Sequence, residues 1–250
     1  MNPALIQLEI CRAVRNRRTL IFAAVLPVVF FLAFSAGSGG GNRLDGLAVA
    51  PYLMVSMAGY GTMNALFTGG GVIAAERSVG WPRQLRIAGL SPRDYIVTKV
   101  LVSYFMALPG LIVVFVVGAL VKQVHMDATQ WLAAGGSVLL SLIPISALGV
   151  ALGYSARPQS LQPIFGIGSA LLALLGGLWV PASTFPAWLR DVVQVLPTYW
   201  AGQAGRSAIQ HSWVGVHGLV VLAAWAVAFG ALAAWLYRRD SLRPSAAGTT

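Results

Sequence analysis

The sequence predicts an all-α integral membrane protein: six transmembrane helices, an N-terminal interfacial helix, a cytoplasmic helix between spans two and three, and an amphipathic outer segment before span six. Three observations carry this. Apolar residues make up 57% of the 250 and charged residues 10%, with a mean hydropathy of +0.74, too hydrophobic for a soluble domain of this length. Asp, Glu, Lys and Arg are absent from six windows, 19–37, 48–75, 100–121, 131–154, 163–180 and 213–237. At about 1.5 Å per helical residue, each window is long enough to cross a hydrocarbon core of about 30 Å. With the N-terminus inside, the cytoplasmic segments hold 13 of the 17 Lys and Arg residues and the outer segments four, the asymmetry that positive-inside topology demands. The chain therefore reads as one transmembrane domain, 1–250, multi-pass in the cell (inner or plasma) membrane, with both termini cytoplasmic.

Residues 1–18 predict the interfacial helix, opened by Asn2-Pro3 and closed by Arg15-Asn16-Arg17-Arg18. Ile6, Ile10, Ala13 and Val14 share a face, with Glu9 and Arg12 off it, as in a helix lying along the inner leaflet. A basic start before an apolar run is also the outline of a signal peptide. The run exceeds the usual core of about 7–15 residues, so 19–37 is read as an uncleaved first span. Residues 38–43 are a Gly-rich outer turn. The second span, 48–75, places Met57, Tyr60, Asn64 and Phe67 on one helical face, with Thr62 and Asn64 polar at membrane depth. Its glycines serve close helix packing, and the triplet Gly69-Gly70-Gly71 also suits a hinge.

Residues 76–99 are the long hydrophilic interruption in the first half, with Arg77, Arg83, Arg86, Arg93 and Lys99 against Glu76 and Asp94. Gly80 and Pro82 bracket a helix start, Trp81, Leu85 and Ala88 share a face, and Gly89 ends the helix. Ser91-Pro92-Arg93-Asp94 reads as a second start, with Ser91 as N-cap. Two readings stay open at this level: a membrane-surface helix that sets topology, and a docking element for a soluble partner. The third span is about 97–121, and Pro144 kinks the fourth, with Ser141 and Ser146 at hand to satisfy freed backbone groups. The fifth is placed at 163–180. Beyond it Trp188, Leu189, Val192, Val193 and Leu196 make an apolar stripe too short to span. The sixth, about 213–237, runs into a cytoplasmic tail, 238–250.

Several chemistries are excluded. A phosphate-binding loop needs a lysine after its glycines, and neither Lys99 nor Lys122 follows one, so the chain has no nucleotide site of its own. Its seven acids are scattered over different segments, and no catalytic set is predicted. Cys11 is the only cysteine and His125, His211 and His217 lack ligand spacing, so no metal site is expected. The basic balance is explained by topology, and no nucleic-acid partner is expected. An ion-coupled secondary transporter commonly carries a carboxylate or His within its spans, and none lies there. A non-transporting structural or regulatory membrane subunit is the other alternative, though it needs no polar face on the second span.

Glu76-Arg77, Gly80, Leu85-Arg86, Ser91-Pro92 and Lys99, in that order after the second span, resemble the loop of type-2 ABC exporter permeases, the family that includes daunorubicin-type drug exporters. The resemblance implies a coupling helix seated in a groove of a separate ATPase subunit, with Glu76, Arg77, Gly80, Trp81, Leu85, Arg86 and Pro92 as its coupling residues. It also implies ATP and Mg bound by that partner and none by this chain, a second permease chain forming a homodimer or heterodimer, and outward transport. Val180-Pro181, Phe185-Pro186, Trp188-Leu189, Leu196-Pro197-Thr198 and Arg206 resemble the family's partly re-entrant outer segment. That segment implies a cap on the path, here Pro186, Trp188, Leu189 and Pro197. A path lined by Met57, Tyr60, Asn64, Phe67, Phe165 and Trp179, without fixed charge, suits an amphipathic or hydrophobic cargo, drug or lipid, with glycan third.

Overall fold

The computed structural model describes residues 3–15, 17–36, 43–87 and 89–241. The Gly-rich turn at 38–42, Ala88 and the tail from 242 lie outside the described residues. Helices α1 (Pro3–Arg15) and α2 (Arg17–Ala36) lead to a two-residue-per-strand hairpin, β1 (Arg43–Leu44) with β2 (Leu47–Ala48), and then to α3 (Val49–Ser78). The short α4 (Trp81–Ile87) connects to α5 (Pro92–Val121). The pair α6 (Ala128–Ser141) and α7 (Ile143–Ser155) precedes α8 (Pro158–Leu175). A 3₁₀ turn (Ala182–Thr184), α9 (Ala187–Val193), α10 (Pro197–Ile209) and α11 (Gly215–Ser241) complete the chain.

Among the described residues four helical stretches are long and apolar enough to cross a membrane: Arg93–Val121, Ala128–Ser155, Pro158–Leu175 and Gly215–Asp240. Of α2, Ala24–Ala36 is a shorter apolar segment. Helix α3 is 30 residues long but less apolar, because Ser56, Thr62, Asn64 and its glycines dilute it. It is instead the axis of the bundle, with Tyr52 through Met63 buried without interruption and α2, α5, α7, α8 and α10 packed around it. A helix surrounded by protein is solvated by its neighbours, so its polar dilution is compatible with its burial.

Glycines set the closest approach. A Cβ on Gly70 would run into the Gly149 backbone of α7, and one on Gly153 would come within 2.5 Å of the Gly70 carbonyl oxygen. One on Gly69 would overlap the Ser103 side chain on α5. Helix α3 runs unbroken through this triplet, so Gly69 and Gly70 are packing glycines of the kind membrane helices use to bring backbones together, and no hinge breaks the helix there. The fourth hydrophobic window divides where expected. Leu142 stands between α6 and α7, Pro144 sits in the first turn of α7, and the Ser141 hydroxyl donates to the Val138 carbonyl 3.2 Å away.

The fifth helix differs from expectation. It occupies Pro158–Leu175 and not 163–180, because Pro158 is its first residue and Pro163 lies inside. It stops at Gly176-Gly177, where Gly177 adopts φ +70° and Leu178 N–H donates to the Ala173 carbonyl at 2.9 Å. Trp179 and Val180 belong to the turn beyond. Helix α10 was not anticipated. Thr198, Ala201, Gly202, Gly205, Arg206 and Ile209 face inward at helical spacing and pack it against α6 and α3.

Candidate functional site

The last turn of α3 carries Glu76 and Arg77, and the two side chains leave in opposite directions. Glu76, 5% exposed, accepts from Lys99 Nζ at 2.6 Å, Tyr95 Oη at 2.7 Å and Arg12 Nη1 at 3.4 Å. Lys99, itself 4% exposed, also donates to Glu9 Oε2 at 2.7 Å. The cluster ties α3 to α1 and to the first turns of α5. Three buried ions are tolerable only because each is paired and hydrogen-bonded. On the other side Arg77 forms a two-pronged pair with Asp240 of α11, Nε to Oδ2 at 3.0 Å with Nη2 on Oδ1. Its Nη1 donates to the Gly153 carbonyl at 2.7 Å, and the guanidinium lies 5.0 Å from the centre of the Tyr154 ring on α7. One helix end is thus clamped to four others by two adjacent residues.

The segment between these clamps and α5 is held away from the bundle. Gly80 (φ +73°) and Gly89 (φ +84°) flank α4, and a Cβ on either would meet nothing within 4 Å. Glycine is needed there for the left-handed backbone and not for space. Ser91 caps α5, its hydroxyl oxygen accepting from the Asp94 N–H at 3.1 Å. Leu85 and Leu90 pack inward against the small cluster of Ile73, Tyr95 and Tyr154. The apolar tips presented outward are Val79, 72% exposed, Ile87, 82%, and Trp81, 36%. Of the sequence-predicted coupling residues, Glu76 and Arg77 are therefore internal clamps, Leu85 anchors the loop, Gly80 shapes it, and Trp81 reaches its surface. Pro92 opens α5, and its side chain and that of Arg86 lie outside the described residues. Val79 and Ile87, which sequence reasoning passed over, are the more exposed tips; their apolar character between basic residues was the available signal.

Five of the six path residues fall into two aromatic contacts and one polar position, and Met57 is the sixth. Tyr60 meets Trp179 edge-on at 5.2 Å, with Phe30 of α2 against both. Phe67 stacks on Phe165 of α8 at 5.2 Å. Met57, Tyr60 and Phe67 are buried by the chain's own helices, and Phe165 and Trp179 are half-buried. Half-buried Asn64 donates Nδ2 to the Tyr60 carbonyl of its own helix at 2.8 Å. Below Asn64 the same helix is open: Thr68, Val72, Ala75 and Val79 are all exposed, at helical spacing. This stripe forms one wall of a cavity of about 610 Å³, with Val102 and Met106 of α5 opposite and Glu9 and Arg12 of α1 at its foot.

Of the residues expected to cap the path, Pro186 and Trp188 are exposed, Leu189 is half-buried and Pro197 is buried as the first residue of α10. The residue that fixes α10 was outside the predicted set. Arg206, 3% exposed, lies 4.6 Å from the Tyr52 ring centre and donates to Ser56 Oγ at 3.1 Å and Gln203 Oε1 at 2.9 Å. Tyr52 Oη in turn donates to the Gly177 carbonyl at 3.2 Å, joining α3, α10 and the end of α8. A lone arginine in an apolar outer segment, with Tyr52 and Ser56 one turn apart on α3, was its trace in the sequence.

The arrangement is a loop between α3 and α5 whose root is tied by Glu76 and Arg77 to α1, α5, α7 and α11. Over 233 residues, 93% of this chain and 95% of the relative, the sequence is 24% identical to a Bacillus subtilis (strain 168) protein named "Putative transport permease YvfS". Residues 3–209 match the sequence profile of the ABC-2 type transporter, which takes in α1 through α10, the 79–87 loop and every member of the clamp at its root except Asp240. The chain belongs to the ABC-2 type transporter family.

Proposed function

We propose that the chain is the transmembrane permease subunit of an ATP-driven exporter, powered by separate ATPase subunits that dock on the 79–87 loop. The observation that carries this reading is the root of that loop: Glu76 and Arg77, side by side, connect it to α1, α5, α7 and α11. A push on the loop is thereby delivered to both sides of the bundle. In the proposed topology α2, α3, α5, α6 with α7, α8 and α11 are the six spans, with α1 on the inner leaflet and α9 and α10 outside. The 13-to-4 distribution of basic residues supports that orientation. The permease works as a pair, with itself or a similar chain, and moves an amphipathic or hydrophobic molecule, drug or lipid, outward. The path runs past Asn64, and the aromatic contacts beside it part as the pair cycles. Glu9 and Glu76 already accept from Lys99, which disfavours their use as a free proton relay in an ion-coupled transporter.

Docking is tested with Ile87→Asp. The side chain is exposed, so the subunit should fold and insert normally, and an apolar anchor at an interface is worth about 2 kcal/mol. Co-purification of the cognate ABC ATPase should weaken about 30-fold. Full retention of the ATPase by Ile87→Asp with Val79→Asp would remove the docking assignment. Asn64→Ala tests the path. It deletes one bond within a helix, worth about 0.6 kcal/mol by the measured average for such contacts in membranes. Assembly should survive while the set of compounds that stimulate the partner's ATPase changes. Unchanged stimulation with a clear loss of thermal stability would make Asn64 a packing residue.

A further inference from the structure

We infer that the slot between α1, α3 and α5 binds an anionic phospholipid of the inner leaflet, its phosphate on Arg12 and one acyl chain laid between α3 and α5. The inference rests on the membrane topology proposed above, and not on ATPase docking. The slot encloses about 610 Å³, within the range of pockets that hold small molecules. Its upper walls are mainly apolar, Val72 on one side and Val102 and Met106 on the other, and the Thr68 and Ser103 hydroxyls among them donate to carbonyls of their own helices. At the inner ends of two spans such walls face hydrocarbon. Water gains nothing from them, so a lipid chain is the occupant that fills the space without losing hydrogen bonds.

The charge at the foot selects the headgroup. Glu9, Glu76 and Lys99 are 8%, 5% and 4% exposed; the one ammonium serves two carboxylates, and Arg12 offsets the remaining negative charge from the solvent side. The Arg12 side chain is 69% exposed, and its bond to Glu76 is long at 3.4 Å. Arg15, one turn on and also exposed, adds a second cation on the same helix. The charged groups open to a ligand are therefore the Arg12 and Arg15 guanidiniums, at the depth where lipid phosphates lie, and basic residues there attract anionic headgroups. A zwitterionic lipid brings its own cation to the same place and is bound less well. A phosphate on Arg12 also competes with Glu76 for the guanidinium, so occupancy adjusts the clamp at the root of the docking loop.

The purified permease is titrated in detergent with phosphatidylglycerol and with phosphatidylcholine, and bound lipid is counted by native mass spectrometry. Phosphatidylglycerol should be retained more tightly. Arg12→Gln should weaken it about fivefold, the worth of one basic residue against an anionic headgroup, and leave phosphatidylcholine unchanged. Val72→Trp fills the slot and should remove the retained copy of either lipid. Thr68→Phe fills it from one turn away and serves if the tryptophan variant does not fold. Equal retention of the two lipids, or retention unchanged in Arg12→Gln and in the filling variants, overturns the inference. So does displacement of phosphatidylglycerol by a lipophilic dye whose efflux is lost in Val72→Trp, which gives the slot to cargo. A dimer that becomes monomeric in Val72→Trp overturns it as well, giving the slot to a second copy. Lipid retention is read on the permease alone, so it fails separately from the ATPase docking read with Ile87→Asp.

Discussion

Lys99→Met is expected to destabilise the subunit by about 3 kcal/mol, the lower end of what breaking a buried ion pair costs. In a chain of this size that corresponds to a fall in melting temperature of about 10 °C. Methionine has nearly the length and volume of the lysine stem, so packing is largely kept. What is lost is the cation bonded to Glu76 at 2.6 Å and Glu9 at 2.7 Å, two carboxylates with almost no contact with solvent. Arg12 remains near Glu76, which is why the lower figure applies. If uncompensated burial is the cause, Glu76→Gln and Glu9→Gln together should restore most of the stability of Lys99→Met, although each alone weakens the parent protein. Thermal unfolding of the four variants in one detergent provides the check. A triple variant no more stable than Lys99→Met would mean that the lysine acts by packing alone.

Gly70→Ala is the second large effect. A single methyl group at this position runs into the Gly149 backbone, which cannot rotate aside, so α3 and α7 must separate. Overpacking of this kind costs about 3 kcal/mol. Gly166→Ala on α8 is the internal control: its Cβ would meet nothing within 4 Å, and alanine in a helix interior is favoured by about 1 kcal/mol. Opposite signs from the same chemical change, read as melting temperatures, would establish that α3 and α7 pack backbone to backbone. Equal small effects would contradict that contact.

Much of this was legible in the sequence. Gly80 and Gly89 bounded α4, Ser91 capped α5 and Pro144 marked the break between α6 and α7, each through local backbone chemistry. Charge-free windows located helices but not their ends. Pro163 was read as a helix start when Pro158, directly after Arg157, is the first residue, since a proline one turn into a helix looks much like one at its beginning. The roles of Glu76 and Arg77 were less legible. Their partners lie far along the chain, Arg12 64 residues before Glu76 and Asp240 163 residues after Arg77. Nothing in a loop's composition says whether a charge points out to a partner or in to a clamp. Helix α10 stayed hidden for a related reason. Thr198, Gln203 and Arg206 make it look like a surface segment, and Tyr52 and Ser56, which with Gln203 receive its buried arginine, lie far back on α3.

The central claim is that the docking loop drives the bundle through the root of α3, and Arg77→Met in the reconstituted transporter addresses it most directly. The substitution keeps an apolar stem beside Tyr154 and removes the bonds to Asp240 and to the Gly153 carbonyl. ATPase docking, ATP hydrolysis and cargo efflux are measured on the same proteoliposomes. Mechanical coupling through Arg77 predicts unchanged docking, hydrolysis within about twofold of the parent and efflux reduced by about tenfold or more, the scale of a coupling free energy between sites. Cargo moved per ATP hydrolysed at the parent's ratio, whether both rates fall together or neither does, would contradict it.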